Sequence, residues 1–428
     1  MPIRRFGAAL LAATLTLATG PLRAGDSQAL TTDRANPELQ HFVRAVVAAN
    51  PEVQAARAAL DASAALRDAA ARPLYNPELD AEVERSADDA RTLGISQTLD
   101  WSGKRAARTD AAERERLLAA ARYALSVWTL GNELLTGLSR HQTAAARQEL
   151  ALRGEHAMAE FAELAERRFR AGDLDQAELS LARLSLTDAR IQRATRSGEA
   201  AAAQQELRAL AVDSPTTEWP ALDGPPSLAN PLSVADRTTL LQGLPEIIAA
   251  ERQVDLAEAN ITLRRKEQRP DPTLSLRGGE QANESVVGLG VSIPLFVRNR
   301  FDGEVRAALS GRDEARFSAD AARRRAQARL QSASERYALL HAAWAEWERT
   351  GQPSLEMQAE QLRRLWQAGE LGTTEYLFQI RQTFEVQDNA LQLRLALWDG
   401  WFEWLRASGR IDGWLALDTA ANEQGGSR

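Results

Sequence analysis

The chain has 428 residues, enough for two or three ordinary domains, but Ala, Leu and charged residues of the kind found in long helices dominate it. Its net charge of −7 argues against a nucleic-acid partner, which would need a basic face, and disfavours a channel for anions. It contains no cysteine, which excludes disulfides, thiol catalysis and cysteine-based metal sites.

The first two dozen residues are typical of a secretory signal peptide. Arg4 and Arg5 precede the short apolar run 7–18, and Ala24 offers a small residue before a cleavage point. The run is too short for a membrane-spanning helix, which needs about 20 residues. We therefore predict export and removal of the leader. Without an N-terminal cysteine to carry a lipid, we predict that the protein is not a lipoprotein.

Four short motifs recur once each, in the same order, at spacings between 194 and 197 residues. Such self-similarity indicates an internal duplication. The recurring pairs are Pro51-Glu52 with Pro245-Glu246, NPEL with DPTL, LGIS with LGVS, and RAGDLDQAEL with QAGELGTTEYL.

The duplication predicts the domain organisation. A signal peptide (1–24) precedes a first repeat (25–212) of helix, two strands and a long helical hairpin. A proline-rich linker (213–233) joins it to a second repeat (234–406), and a C-terminal tail (407–428) follows.

Both repeats contain a helical pattern too long for a compact domain. The first runs over 104–170 without proline and the second over 301–368 with Pro353 as its one interruption. At 1.5 Å per residue each would extend about 100 Å, so it must pack along other helices as in a coiled coil. The segments 174–210 and 373–405 are the predicted antiparallel partners.

Four short segments alternate apolar and polar residues, which predicts strands with one apolar face. The apolar positions are Leu79, Ala81, Val83, Leu93, Ile95, Leu99, Leu274, Leu276, Val287, Leu289, Val291, Ile293 and Leu295. The facing polar positions of the first strand are Glu78, Asp80, Glu82 and Glu84.

About ten tilted residues are enough for a strand to cross a bilayer. Tyr75, Trp101 and Phe296 lie at the strand–helix junctions, where aromatic residues would mark a membrane interface. Four strands cannot close a barrel, and an open edge is not tolerated in lipid, so several copies would have to pool their strands. A small soluble sheet packed on a helix is the alternative that this pattern leaves open.

The segments SQTLDWSGKRAAR, VSIPLFVRNRFDGE, RFRAGDLDQAEL and LWQAGELGTTEYL resemble motifs of the TolC family of outer-membrane efflux proteins, and especially its heavy-metal branch. The resemblance implies a mainly α fold with a small β part. Three copies would form a homotrimer with a 12-stranded transmembrane β-barrel in outer-membrane lipid and a periplasmic helical tube. The implied partners are a periplasmic membrane-fusion adaptor and an inner-membrane RND pump.

The resemblance also implies roles for particular residues. Glu178 and Glu375 would line the periplasmic aperture. The strand assignment itself, rather than the resemblance, predicts that Glu78, Asp80, Glu82 and Glu84 face the lumen. The adaptor would grip the helix tips, with Leu174 and Leu371 as exposed apolar contacts. The full set of tip residues is Gly172, Asp173, Leu174, Gly369, Glu370 and Leu371.

No residue pattern in the sequence indicates a catalytic, cofactor or metal site. The four histidines are isolated, no nucleophile motif is present, and we predict no cofactor, no metal site and no enzymatic activity. The leading hypothesis is therefore a passive outer-membrane channel for divalent heavy-metal cations. The alternatives are a duct of the same fold for drugs or secreted polypeptides, and a soluble periplasmic coiled-coil scaffold or adaptor.

Overall fold

The computed structural model describes residues 34–85, 90–211, 219–222, 224, 234–281 and 284–417. The predicted signal peptide and most of the predicted linker lie outside these residues. So do the middle residues of the two turns that would join the strands, 86–89 and 282–283.

The described chain is mainly helical, with one four-stranded sheet, as the sequence predicted. The elements in chain order are α1 (Pro37–Ala49), α2 (Pro51–Ala70), β1 (Glu78–Glu84), β2 (Ala90–Thr98), α3 (Lys104–Ala171), α4 (Gln176–Leu210), α5 (Val234–Gln242), α6 (Pro245–Glu267), β3 (Thr273–Gln281), β4 (Glu284–Ser292), α7 (Asp302–Glu346), a π-helical segment (Trp347–Gly351), α8 (Gln352–Ala368), α9 (Thr373–Ser408) and α10 (Ile411–Leu415).

Helix α3 is the longest element of the described chain. Its 68 residues extend about 100 Å, and α2, α4, α6 and α9 pack along it. It begins after Gly103, whose φ of 74° is a left-handed conformation that glycine adopts without strain. The carboxylate of Asp100 accepts hydrogen bonds from the first N–H groups of the helix, at Lys104 (2.8 Å) and Arg105 (2.6 Å).

The matching helix of the second half is interrupted. Between α7 and α8 the chain forms the π-helical segment, which ends two residues before Pro353. Proline has no N–H to donate to the carbonyl four residues earlier, and its ring crowds that carbonyl. The wider π turn just before Pro353 is one of the ways in which a helix accommodates such a defect.

The four strands form one antiparallel sheet in the order β1-β2-β3-β4, so the halves meet where β2 pairs with β3. The register places apolar residues of neighbouring strands side by side on one face of the sheet. Leu79, Ile95, Leu276 and Leu289 form one cross-strand row of the apolar face. In the described chain β1 and β4 each have one unpaired edge.

Two separate hydrophobic clusters stabilise the helical body. The larger one surrounds the middle of α3 and includes Trp398, Trp401 and Trp404, which confirms that these tryptophans form one packing face. It also contains Trp414 and Leu415. Of the predicted C-terminal tail, residues 407–408 complete α9 and residues 411–415 form α10, which packs in this core. No described helix has the length and hydropathy needed to traverse a membrane.

Charged side chains also connect the halves. Arg147 on α3 donates to Asp388 on α9 at 2.6 and 2.9 Å. The hydrogen bonds from Arg147 and then from Gln392 lower the pKa of the Asp388 carboxyl below its usual value, and the positive charge of Arg196 adds to this effect.

Candidate channel wall, strand–helix junction and helix tips

The apolar face of the sheet is exposed to an unusual degree. Leu79 is 74% exposed, Val287 82% and Leu289 81%, and the central strands leave Ile95 and Leu276 about half exposed. A contiguous aliphatic surface of this kind normally marks contact with lipid or with another protein. The described part of the chain supplies nothing that covers it.

The opposite face of the sheet is polar. Glu78, Asp80 and Glu82 lie on this face of β1, and Arg277 of β3 lies over Gly94 of β2. A Cβ atom at Gly94 would come within 3.1 Å of the Arg277 side chain, so the glycine leaves room for that arginine to cross the sheet. The alternation predicted from sequence therefore matches the register.

Asp271 holds the sheet against the helices at the junction between them. Only 4% of Asp271 is exposed, and its carboxylate lies 2.9 Å from Lys104 Nζ. It also accepts hydrogen bonds from Tyr75 Oη at 2.9 Å and Ser102 Oγ at 3.5 Å. Burial, followed by the hydrogen bond to Asp271, raises the pKa of Tyr75 to about 12. This cluster joins the start of β3 to both junctions of the first half.

The predicted interface aromatics have different environments. The Trp101 ring is 65% exposed, and its indole N–H donates to the Pro270 carbonyl at 2.8 Å. Phe296 instead packs edge-to-face on Phe301. Tyr75 is half-buried because its hydroxyl is bound to Asp271.

The first helix tip has both ends of its turn capped. Gly172 ends α3 with φ 84°, and the Asp173 N–H donates back to the Arg168 carbonyl at 2.9 Å. Asp175 then begins α4 with a capping box: its carboxylate accepts from the Glu178 N–H, and the Glu178 carboxylate accepts from the Asp175 N–H. Glu178 therefore has a local structural role.

The second tip ends one helix in the same way and begins the next differently. Gly369 ends α8 with φ 78°, and the Glu370 N–H donates to the Leu365 carbonyl. Helix α9 begins after Gly372, which has no side chain to cap it. Glu375, at the position equivalent to Glu178, is exposed, and among the described residues its carboxylate accepts a hydrogen bond from the Gln379 side chain.

Aromatic packing holds the two tips together. Trp366 stacks on Tyr376 at 4.8 Å between ring centroids, and Phe161 of α3 contacts both rings. The Arg168 guanidinium lies 4.4 Å above the Trp366 ring and donates to the Trp366 carbonyl at 3.1 Å. The buried apolar residues around these rings form one cluster, which we name the tip cluster: Met158, Phe161, Ala162, Ala165, Leu179, Ala182, Leu362, Trp366, Tyr376, Leu377 and Ile380.

The tip cluster corrects one expectation. Leu174 and Leu371 were expected to be exposed apolar contacts, but both are half-buried and pack against the cluster. The turns are short, and a leucine two residues after the terminal glycine can fold back onto the preceding helix. Asp173 and Glu370 are exposed, as are Gly172 and Gly369.

Sequence reasoning missed the residues that connect separate elements. Asp271 stands where the first repeat has Asn76, so the replacement of a neutral residue by an acid before the shared proline was the available signal. Arg168 and Trp366 carried no comparable signal. Among the described residues no group of three or more metal-binding side chains was found.

The comparisons with known proteins agree with this geometry. Residues 43–211 match the family model described as "Outer membrane efflux protein". The first half of the chain is therefore similar to this family. Members of that family are transport channels, so the similarity agrees with the expectation that the protein is not an enzyme.

Two relatives have names that refer to metals. The chain is 29% identical to the cobalt-zinc-cadmium resistance protein CzcC of Cupriavidus metallidurans over 252 residues, which are 57% of the chain and 60% of CzcC. The aligned part therefore spans less than two thirds of that relative. The chain is also 28% identical to the nickel-cobalt-cadmium resistance protein NccC of Alcaligenes xylosoxydans xylosoxydans, over 73% of each protein.

The fold is that of solved outer-membrane channels. The structure of the Campylobacter jejuni CmeC outer membrane channel superimposes with a TM-score of 0.76 at 14% identity, covering 96% of this chain and 94% of CmeC. The fold class predicted from the sequence, a long helical barrel with a small strand contribution, is thereby confirmed.

Proposed function

We propose that the protein is the outer-membrane channel of a three-part efflux system, exported by its signal peptide and assembled as a homotrimer. The observation that carries this proposal is the sheet, which combines an exposed aliphatic face with two unpaired edges. In lipid every backbone polar group needs a partner, so β1 of one copy must pair with β4 of another. Three copies give twelve strands, with the acidic face of β1 turned to the lumen.

The first experiment tests oligomeric state and membrane insertion together. The purified protein should require detergent and migrate as a trimer. Leu289→Lys should reduce the yield of folded trimer, because a cation at a lipid-facing site costs about 2–4 kcal/mol near the bilayer midplane. Ser96→Lys is the matched control, since it adds the same charge on the polar face, opposite Glu78. A monomer that is soluble without detergent would favour the periplasmic scaffold instead.

The proposed cargo is a divalent heavy-metal cation. The names of CzcC and NccC support this, and the acids Glu78, Asp80, Glu82 and Glu84 would give the lumen entrance a cation preference. Deletion of the gene should lower the growth limit on zinc, cobalt, cadmium or nickel salts and leave drug tolerance unchanged. The reverse result would identify a drug duct, and loss of a secreted polypeptide would identify a secretion duct.

We propose that the helix tips bind a periplasmic adaptor. That adaptor would connect the channel to an inner-membrane RND pump. The exposed part of each turn is polar, so Asp173 and Glu370 would contact the adaptor while Gly172, Leu174, Gly369 and Leu371 fix the shape of the turns. Asp173→Arg with Glu370→Arg should abolish cross-linking to the adaptor. Trimer yield should not change, and the exposed Arg153→Glu on α3 controls for the change in charge.

Glu178 and Glu375 remain the proposed aperture residues, with Glu375 as the stronger candidate because the capping box engages Glu178. Tyr75, Trp101 and Phe296 remain the proposed membrane-interface aromatics. Among these, exposed Trp101 has the geometry of a headgroup contact.

A further inference from the structure

The strand–helix junction is basic in an otherwise acidic chain. Four segments meet there because β1 begins, β2 ends, β3 begins and β4 ends at the same end of the sheet. These segments, 71–77, 99–105, 264–272 and 293–303, contain nine Lys or Arg and four Asp or Glu. The strands themselves contain six acids and two arginines. The positive charge is therefore concentrated at the end of the sheet that joins the helices.

Most of these cations have no ion-pair partner among the described residues. Lys104 is paired with Asp271 and Arg264 with Glu267. The other acids of the segments are also engaged, since Asp100 caps α3 and Asp302 accepts from Gln268. Six exposed arginines form no side-chain ion pair or hydrogen bond with any described residue, and we name them the junction arginines: Arg72, Arg105, Arg265, Arg269, Arg298 and Arg300.

Exposed apolar residues lie in the same segments. Trp101 is 65% exposed, Leu295 77% and Val297 76%. Val297 directly precedes Arg298, and Trp101 is fixed to the Pro270 carbonyl beside Arg269. Apolar side chains next to unpaired guanidinium groups are what a boundary between acyl chains and headgroups requires.

We propose that the junction arginines bind anionic phospholipid headgroups in the leaflet next to the helical body. This inference rests on the proposed membrane function, which sets the strands in the bilayer and the junction at its periplasmic surface. A guanidinium group binds a phosphate with two parallel hydrogen bonds, so arginine suits this contact better than lysine. The junction arginines would hold the channel at a fixed depth in the membrane and concentrate anionic lipid around each copy.

The test compares the protein in phosphatidylcholine nanodiscs with the protein in phosphatidylcholine–phosphatidylglycerol nanodiscs. The readouts are the phosphatidylglycerol retained by the trimer in native mass spectrometry and the thermal unfolding midpoint. The test variant carries Arg265→Gln, Arg269→Gln, Arg298→Gln and Arg300→Gln. The control variant removes four other exposed arginines of the helices with no ion pair in the described chain, Arg153, Arg316, Arg324 and Arg325, by the same change.

We expect phosphatidylglycerol to raise the unfolding midpoint of the wild type and of the control. The test variant should lose that rise and bind phosphatidylglycerol at least about tenfold more weakly, because each cation at a membrane surface adds to the attraction. Equal retention by both variants would overturn the proposal. So would a changed ion preference of the channel with unchanged lipid retention, since the arginines would then face the lumen. Failure of the wild type to insert in either lipid would instead overturn the proposed membrane function.

Discussion

The two helix tips occupy equivalent positions in the duplicated chain but are held by different interactions. The first follows the uninterrupted helix α3 and begins α4 with the Asp175–Glu178 capping box. The second follows the π-helical segment and begins α9 at Gly372, which has no capping side chain. The second tip therefore depends on its aromatic packing against the first.

This difference shows how a duplication can give one copy of a turn a supporting role and leave the other copy less restrained. The first tip satisfies its own backbone groups and can serve as a rigid support. The second tip has an irregular helix before it, an uncapped helix after it, and an acid, Glu375, that is free of the local structural role of Glu178. These features predict that the second tip is the less stable one, since local opening follows from few local restraints.

The largest effect should come from Trp366→Ala. It removes a ring that is 3% exposed, together with its stacking on Tyr376 and its contact with Arg168. Loss of a buried aromatic side chain costs about 3–5 kcal/mol. Hydrogen exchange should accelerate in α8 and the start of α9 and much less in α4. Phe378→Ala, at an exposed site of α9, is the control and should change little. Equal acceleration at both tips would contradict the proposed dependence.

The next effect concerns the π-helical segment. A Cβ atom at Gly351 would overlap the ring of Trp347, so Gly351→Ala should force the ring to move and cost about 1–3 kcal/mol. Gly311→Ala in α7 is the matched control, because no side chain or neighbouring atom lies within 4 Å of its Cβ position. That change should stabilise the helix by about 0.5–1 kcal/mol. Chemical denaturation of both variants measures the difference, and adding Trp347→Ala to Gly351→Ala should reverse most of the loss.

A smaller effect is expected at the first tip. Asp175→Ala removes the side chain that accepts the Glu178 N–H, and loss of such a cap costs about 1 kcal/mol. Exchange of the first amides of α4 should then approach that of the first amides of α9. If the two tips still differed as strongly as before, the capping box would not be the cause of the asymmetry.

Much of this fold could be predicted from periodicity. The motif pairs revealed the duplication, and the two-residue alternation identified both faces of the sheet correctly, because side-chain direction follows directly from strand geometry. The long helices began and ended within a few residues of prediction, since Gly172 and Gly369 mark their ends.

What could not be predicted depends on contacts between distant segments. Asp271 meets Tyr75 across 196 positions of sequence, and nothing local to either residue indicates the other. The half-buried positions of Leu174 and Leu371 likewise depend on the tip cluster, whose members come from four helices. The π-helical segment was foreseen only as an interruption at Pro353, because the sequence does not indicate which local rearrangement a proline will cause.

The smallest change in stability should come from the reciprocal substitution, Gly372→Asp. Gly372 has φ −70° and ψ 153°, which any residue adopts, and no atom lies near its Cβ position. Since Glu375 is three residues on, the substitution would recreate the capping box of the first tip. The gain over glycine is only a few tenths of a kcal/mol.

The consequence of Gly372→Asp for conduction should be larger, because the Glu375 carboxylate would turn back to the backbone N–H of residue 372 and leave the proposed aperture. Cation preference in a planar bilayer should then fall towards that of Glu375→Gln, whereas Gly372→Ala, which cannot cap, should keep the wild-type value. If Gly372→Asp conducted like the wild type while Glu375→Gln did not, the tip asymmetry would have no bearing on the aperture.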